Sequence, residues 1–365
     1  MSENSKETVV LLLNWNGLDW LHKFLPGLIQ NTSNADIIVI DNGSTDSSLS
    51  YLQDLGFEPY LQTNSNQLHY IALPSNIGFT GGYNEAIQML GSYKFLALLN
   101  TDVEVSPDWL LPLIDLFHLH DDLGVVMPKI KSFHNKDKFE YAGAAGGMVD
   151  LLGYPFCRGR IFDHLEKDEN QYDNSLQPIF WASGAAFVIR KDLFIQLGGF
   201  HRYFFAHMEE IDLCWRVQRA GYKIGYESKS TVYHVGGGTL SYQSPKKTFL
   251  NFRNSLYMLV LNSRSFPKMI MTVFLRLILD AAAGLLFFKK MEIRNIGAII
   301  KAHWYFFIKI PFLLRERKRI KKEIQHFYNS DHSIHTIYSR SIVFDYYILG
   351  KKKYSELKNW TYEKK

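Results

Sequence analysis

The chain has 365 residues, 47% of them apolar and 15% aromatic, with a formal net charge of +5. That composition excludes a disordered chain, and the length suits one large domain or two medium ones with ample core. Only two cysteines occur, Cys157 and Cys214, which excludes a disulfide framework or a Cys-based zinc site and suits a reducing compartment.

The start, MSENSKETVVLLLNWNG, is polar and then directly strand-like. It lacks the charged region, apolar region and cleavage site of a secretory signal and reads as unexported. Residues 8–13 (TVVLLL) and 37–41 (IIVID) are short β-branched or apolar runs closed by polar turns, as expected of buried strands in a parallel sheet. Between them GLDWLHKFLPGLIQNT has helical apolar spacing, and after the second strand DNGSTDSSLSYLQDLG offers a turn, capping residues, a helix and a terminating glycine. YKFLALLN (93–100) predicts a further strand, SPDWLLPLIDLFHLH a helix with proline near its start, and GVVMPKI another strand. Strands alternating with helices imply an α/β layered domain with right-handed crossovers. GAAFVIRKDLFIQLGGF (184–200) reads as strand, helix and glycine stop, and EEIDLCWRVQRAG (209–221) as a helix followed by the strand KIGYE. No internal repeat is visible.

Beyond Gly238 the pattern changes. Residues 269–288 and 296–314 are two long, mostly apolar stretches, followed by RERKRIKK. From Lys246 onward 24 Lys and Arg stand against 8 Asp and Glu, about +16, leaving about −11 for residues 1–245. An acidic half suits a metal, and a basic half suits an anionic surface. Length alone permits membrane spans. However, Arg276 and Asp280 interrupt the first stretch, and Lys301, His303 and Lys309 stud the second, where charges in lipid are costly. The favoured expectation is two helices lying in the membrane interface with the basic run toward headgroups. The alternative is a buried helical hairpin with Arg276 and Asp280 paired.

In an open α/β sheet ligands sit beyond the carboxyl ends of the strands. NWNG (14–17), DNGSTD (41–46) and NTDVE (100–104) fall there, although DNGSTD alone is equally a plain Asx-type turn. NIGFTGGYNEA (76–86) is glycine-rich and opens a helix, whose N-terminus favours an anion, but it matches neither a P-loop nor a clean GxGxxG. FFAHMEEIDLCWR (204–216) sets acids among aromatic residues, either as a solvated helix face or as a base in a partly dry site. Helical spacing puts Glu209, Asp212 and Arg216 on one face, with Glu210 about 100° away. Asp212 and Arg216 are therefore expected to brace the helix.

Taken in order, NWNG, DNGSTD, NIGFTGGYN, LLNTDVEV, GAAFVIRKDLF…GGF, FFAHMEEIDLCWR and YHVGGGT resemble the family 2 glycosyltransferases of GT-A (Rossmann-like) fold, specifically their bacterial rhamnosyltransferase branch. The resemblance spans roughly residues 8–240. It implies a nucleotide pocket at Asn14, Asn16, Asp41, Asn42, Asp46, Asn76, Gly78, Gly81 and Asn84. It also implies a Mg²⁺ or Mn²⁺ ion held by Asp102, the acid of a DxD-type motif whose first Asp is Asn100 here, with His234 joining and Glu104 as a further helper. The family's catalytic base falls on Glu210, where Asp is usual, beside Glu209. The expected protein is thus a GT-A domain at 1–245 with a basic, helical, membrane-associating extension at 246–365. Its expected reaction is inverting transfer of one sugar from a nucleoside-diphosphate donor to a glycan or polyprenyl-linked acceptor. Its partners would include an anionic membrane surface on the cytoplasmic side and no nucleic acid. The resemblance makes dTDP-L-rhamnose the first donor guess, and the lack of QxxRW points away from a processive synthase. A sugar nucleotidyltransferase and an inactive glycan- or membrane-binding homologue are the rival readings.

Overall fold

The computed structural model describes residues 6–61, 67–174, 178–236, 244–328, 332, 334 and 336–357. Residues 1–5 of the polar start and 237–239 of YHVGGGT lie outside them. In chain order, β1 (Thr8–Asn14), α1 (Leu18–Gln30), β2 (Asp36–Asp41) and α2 (Ser48–Asp54) lead to β3 (Glu58–Pro59), β4 (Leu68–Ala72) and α3 (Gly78–Met89). Next come β5 (Phe95–Asn100), β6 (Val103–Val105), α4 (Leu111–Leu119) and β7 (Leu123–Ser132). Four short strands follow: β8 (Gly147–Asp150), β9 (Pro155–Cys157), β10 (Arg160–Ile161) and β11 (His164–Leu165). The chain then forms β12 (Ala186–Arg190), α5 (Lys191–Gln196), α6 (Glu209–Arg219) and β13 (Lys223–His234). It closes with α7 (Pro245–Asn262), α8 (Phe266–Lys289), α9 (Ile293–Tyr328), β14 (Ile337–Tyr338) and α10 (Ile342–Tyr347).

Nine strands make one sheet in the order β3-β4-β2-β1-β5-β12-β7-β13-β6. Its first half is parallel, as the continuous apolar runs of β1, β2 and β5 dictate for strands covered on both faces. Val9, Val10, Leu11, Ile37, Ile38 and Leu98 are fully buried there. Helix α1 covers the sheet with Leu21, Phe24, Leu25 and Leu28, the i, i+3, i+4, i+7 stripe of an amphipathic helix. The second half departs from the purely parallel expectation: β12 runs antiparallel to both β5 and β7, and β6 antiparallel to β13. Reversal at β12 brings residues 183–185 back to the carboxyl end of β5, where Ala185 O accepts a 2.9 Å hydrogen bond from Asn100 N.

A smaller sheet, β11-β10-β9-β8-β14, takes its last strand from the far end of the chain. Asp150 fastens that return by accepting from Ile342 N at 2.9 Å as well as from Leu152 N and Tyr154 N. Helix α7 packs against α6 and α9, and Asn262 near its end donates to Asp212 at 2.6 Å.

Helices α8 and α9 are long and apolar enough to cross a membrane by length and composition. Each is a two-faced helix. Arg276 and Asp280 of α8 are buried 3.8 Å apart, and His303 Nε2 reaches Asp280 Oδ2 at 3.0 Å. Arg276 also donates to Leu152 O and Ser255 Oγ, while Tyr154 OH donates to Asp280. These charges point into the protein, with partners that offset their desolvation. Ile270, Phe274, Ile278 and Leu285 of α8 and Ile300, Trp304, Phe307 and Ile308 of α9 lie exposed. The Arg276–Asp280 pair therefore exists, but the helices that carry and flank it are not a buried hairpin. In the basic run, Arg317 binds Ser263 O and Arg264 O and Arg319 pairs with Glu316 and Glu323, whereas Arg315, Lys318, Lys321 and Lys322 are exposed.

Candidate active site

The loops beyond the strand ends converge because their side chains tie one to the next. After β1, Asn14 donates to Asp41 Oδ1 and Ser44 Oγ, both at 3.2 Å. Ser44 N in turn donates to Asp41 Oδ2 at 3.1 Å. Asn16, in the left-handed region at φ 49°, accepts from Thr45 N at 2.7 Å. Asp46 accepts from Leu18 N and Ser48 N; these bonds, against the opposing effect of partial burial, hold its carboxyl below the usual range. Asn42 links this pair of loops to the third by donating to Asn76 Oδ1 at 3.1 Å and to Gly78 O at 3.2 Å. Gly78 is required where it stands, because its φ is +80° and a Cβ would lie 2.7 Å from the Phe205 ring. Gly81 lies in the buried part of α3 against Ile77. Asn84 is spent on structure: it donates to Phe200 O and accepts from Phe200 N.

Beside this cradle, Asp102 follows β5 and His234 ends β13, the strand that pairs with β6 at Val103. His234 Nε2 lies 3.2 Å from Asp102 Oδ1, and both residues are nearly buried. On the other side of the ring, Nδ1 lies 3.5 Å from Glu140 Oε1. Burial opposes a charge on this imidazole, yet the two carboxylates raise it to about 10. Glu140, held low by His234 in spite of its burial, also accepts from Ala142 N. Nothing in the sequence pattern marked Glu140, which sits in an irregular loop. Glu104 is half exposed and paired with Lys136.

Once Nε2 gives up its proton, the imidazole nitrogen beside the hard oxygen of Asp102 fits a divalent cation such as Mg²⁺ or Mn²⁺, which commonly takes one or two protein ligands and completes its shell with phosphate oxygens and water. Among the described residues no group of three His, Cys, Asp or Glu could hold a metal, so an ion at this pair would draw its remaining ligands from outside the protein. Glu140 then fits as the carboxylate that fixes the ring's orientation from behind.

The third group is the acid pair. Helix α6 starts after Met208, and the lead-in is strained: Phe205, His207 and Met208 have φ of 66°, 70° and 74°. Asn254 of α7 holds this loop, its amide donating to Phe204 O at 3.0 Å, Ala206 O at 2.9 Å and His207 O at 2.7 Å. Asp212 and Arg216 are fully engaged. Arg216 donates to Asp212 and to Leu197 O and Gly199 O, anchoring α6 to the glycine stop after α5. Glu209 and Glu210 each keep one buried carboxylate oxygen with no protein partner among the described residues. Burial raises both above the ordinary range, and Glu210 adds to the rise at Glu209 by like-charge repulsion. In Glu210, the amides at the start of α6 oppose the rise without cancelling it.

Gly184 closes the circuit. A Cβ at this position would stand 3.9 Å from the Glu210 side chain, so the missing side chain leaves open space against the acid. Its neighbours reach the other two groups: Ala185 O accepts from Asn100 N, and Ser183 Oγ donates to Ala142 O beside Glu140. Residues 183–185 thus connect the end of β5 and the Glu140 loop to Glu210, while Thr101 Oγ1 lies 3.9 Å from the Cβ position of Gly17 in the NWNG loop.

Residues 9–198 match the sequence model of the family described as glycosyl transferase family 2. The chain belongs to that family. Among curated relatives it is 26% identical over 232 residues to the N-acetylglucosaminyl-diphospho-decaprenol L-rhamnosyltransferase of Mycobacterium tuberculosis, covering 59% of this chain and 71% of the relative. It is 23% identical over 225 residues to the low-salt glycan biosynthesis hexosyltransferase Agl10 of Haloferax volcanii, covering 60% and 66%. These place it in the rhamnosyltransferase-like branch of family 2. Among solved structures, the Pyrobaculum calidifontis mannosyltransferase PcManGT, in complex with GDP-Man and Mn²⁺, aligns with TM-score 0.51 at 11% identity, over 84% of this chain and 88% of that one. The fold is GT-A, with a C-terminal helical extension.

Proposed function

We propose that this family 2 enzyme is a metal-dependent, inverting glycosyltransferase that adds one sugar to a lipid-linked or cell-surface glycan acceptor. The observation that supports this reading is the course of residues 183–185, which meets Glu210 at Gly184, the end of β5 at Ala185 and the Glu140 loop at Ser183. Asn14, Asn16, Asp41, Asn42, Asn76 and Gly78 form the cradle for the nucleotide, with Asp46, Gly81 and Asn84 shaping its loops. Asp102 and His234 would hold a divalent cation, which would offset the charge developing on the departing diphosphate. Glu210 takes the proton of the acceptor hydroxyl. The new bond forms from that oxygen to the anomeric carbon as the bond to the diphosphate breaks on the opposite face, and the electron pair leaves with the nucleoside diphosphate. A base raised by burial toward neutrality suits that proton transfer.

The rhamnosyltransferase relative makes dTDP-L-rhamnose the first donor to try, with UDP-hexoses next. Its acceptor, by name a diphospho-decaprenol, favours a lipid-linked acceptor here as well. The exposed apolar faces of α8 and α9 support seating in the interface at the inner face of the cell membrane, with the exposed part of the basic run toward anionic headgroups. A sugar-nucleotide panel assayed for nucleoside diphosphate, with and without Mn²⁺, tests the reading. Metal-dependent release with one donor is expected. Release of pyrophosphate instead would indicate a nucleotidyltransferase, and no turnover of any donor an inactive homologue.

A further inference from the structure

Next to the loop that leads into α6 and Glu210 is a groove of about 750 Å³ between α7 and α9. Lys246, Arg253, Arg294 and Lys301 line it together with Phe205 and Phe249, and no acidic residue does. None of the four cations has a carboxylate partner among the described residues. Lys246 and Lys301 instead sit over the rings of Phe205 and Phe249, at 5.5 Å in each case. Arg253 spends Nε and Nη2 on Asn254, Tyr203 O and Phe204 O, and keeps the two hydrogens of Nη1 for another acceptor. Four unpaired cations converging on one groove form a site for a compact polyanion.

The surroundings say which one. Phe205 lines the groove and also packs on Gly78, so the groove opens onto the edge of the proposed site, five residues before Glu210 in sequence. Along α9, residues 294, 297, 298 and 301 face the groove at i, i+3, i+4 and i+7. Ile293, Ile300, Trp304 and Phe307, about 100° around the same helix, form its exposed apolar stripe. A cationic groove thus borders an apolar surface on one side and a sugar-transfer site on the other. Building on the transferase reading, we propose that this groove binds the diphosphate of a prenyl-diphosphate-linked acceptor, with the lipid running along the exposed faces of α9 and α8 and the acceptor sugar directed to Glu210.

The test uses the full-length protein and the Arg294→Glu/Lys301→Glu variant; both residues are exposed and unpaired, so the fold should tolerate the change. Farnesyl diphosphate, titrated calorimetrically in detergent, is expected to bind the variant about tenfold to a hundredfold more weakly, the scale of lost charge-assisted contacts. Lys301→Arg should retain the affinity. In turnover, KM for a prenyl-diphosphate acceptor should rise while KM for the sugar nucleotide stays unchanged. Equal farnesyl diphosphate affinity in both proteins overturns the proposal. So does unchanged affinity with loss of flotation on phosphatidylglycerol vesicles, which makes the groove a headgroup patch. The titration needs no turnover: transfer with an unaltered titration refutes the groove alone, and binding without transfer by any donor refutes the transferase reading alone.

Discussion

Asn254 is fully buried on α7, and its single amide nitrogen faces three carbonyls of the loop that leads into α6. With two hydrogens it makes about two net bonds at any moment, each contributing roughly 1 kcal/mol, and its removal leaves carbonyls buried without donors at about 1–3 kcal/mol each. Asn254→Ala should therefore cost about 2–4 kcal/mol of folding stability. The loop it restrains holds Phe205, His207 and Met208 at positive φ, each disfavoured by about 1–2 kcal/mol for a side chain with a Cβ. Freed of the clamp, the loop should relax and carry Glu210 with it, and a displacement of about 1 Å suffices for a roughly hundredfold loss of turnover. Urea unfolding and steady-state kinetics with the active donor measure both effects. His207→Gly added to Asn254→Ala should restore about 1 kcal/mol, because glycine adopts the same φ without strain. Asn254→Ala with a stability change below about 0.5 kcal/mol and unaltered kcat would refute the clamp.

Three further outcomes follow from the same geometry. Burial pushes Glu210 up to about 7, and a base must be unprotonated to act, so kcat should fall about tenfold per pH unit below that value and level off above it; a flat profile from pH 5 to 8 contradicts the assignment. Glu140→Gln removes the carboxylate behind His234 and should weaken Mn²⁺ binding about 10- to 100-fold, read by electron paramagnetic resonance of free Mn²⁺ without any turnover; unchanged affinity refutes its positioning role. Phe274→Asp with Ile278→Asp places charges on the exposed face of α8 and should abolish flotation on vesicles while the unfolding midpoint stays within a few degrees; undiminished flotation removes α8 from the membrane contact.

The parallel half of the fold was readable because β1, β2 and β5 are covered on both faces and show it as unbroken apolar runs. The reversal at β12 was not: an isolated run such as AFVIR says nothing of direction, which is set by the path of residues 140–185. The smaller sheet has strands of two to four residues, too short for alternation to register, and its β14 arrives from more than 180 residues away. In the site, the loops named from their motifs lie together, because Asn, Asp and Gly at strand ends are local signals. Glu140 and Asn254 left no such trace, since each acquires its meaning from a partner distant in sequence, His234 and the 204–207 carbonyls. Arg276 and Asp280 were legible as charges too costly for a plain lipid span, but their partners were not: one-sided packing turns them inward and leaves the apolar face outside.

The most direct trial of the proposed chemistry is Glu210→Gln, which keeps size and polarity but cannot accept the acceptor's proton. Sugar-nucleotide and Mn²⁺ affinities should match the wild type while single-turnover transfer falls about 10²- to 10⁴-fold. Transfer within a few-fold of wild type would contradict a proton-accepting role for this residue and return the base to Glu209 or to another group.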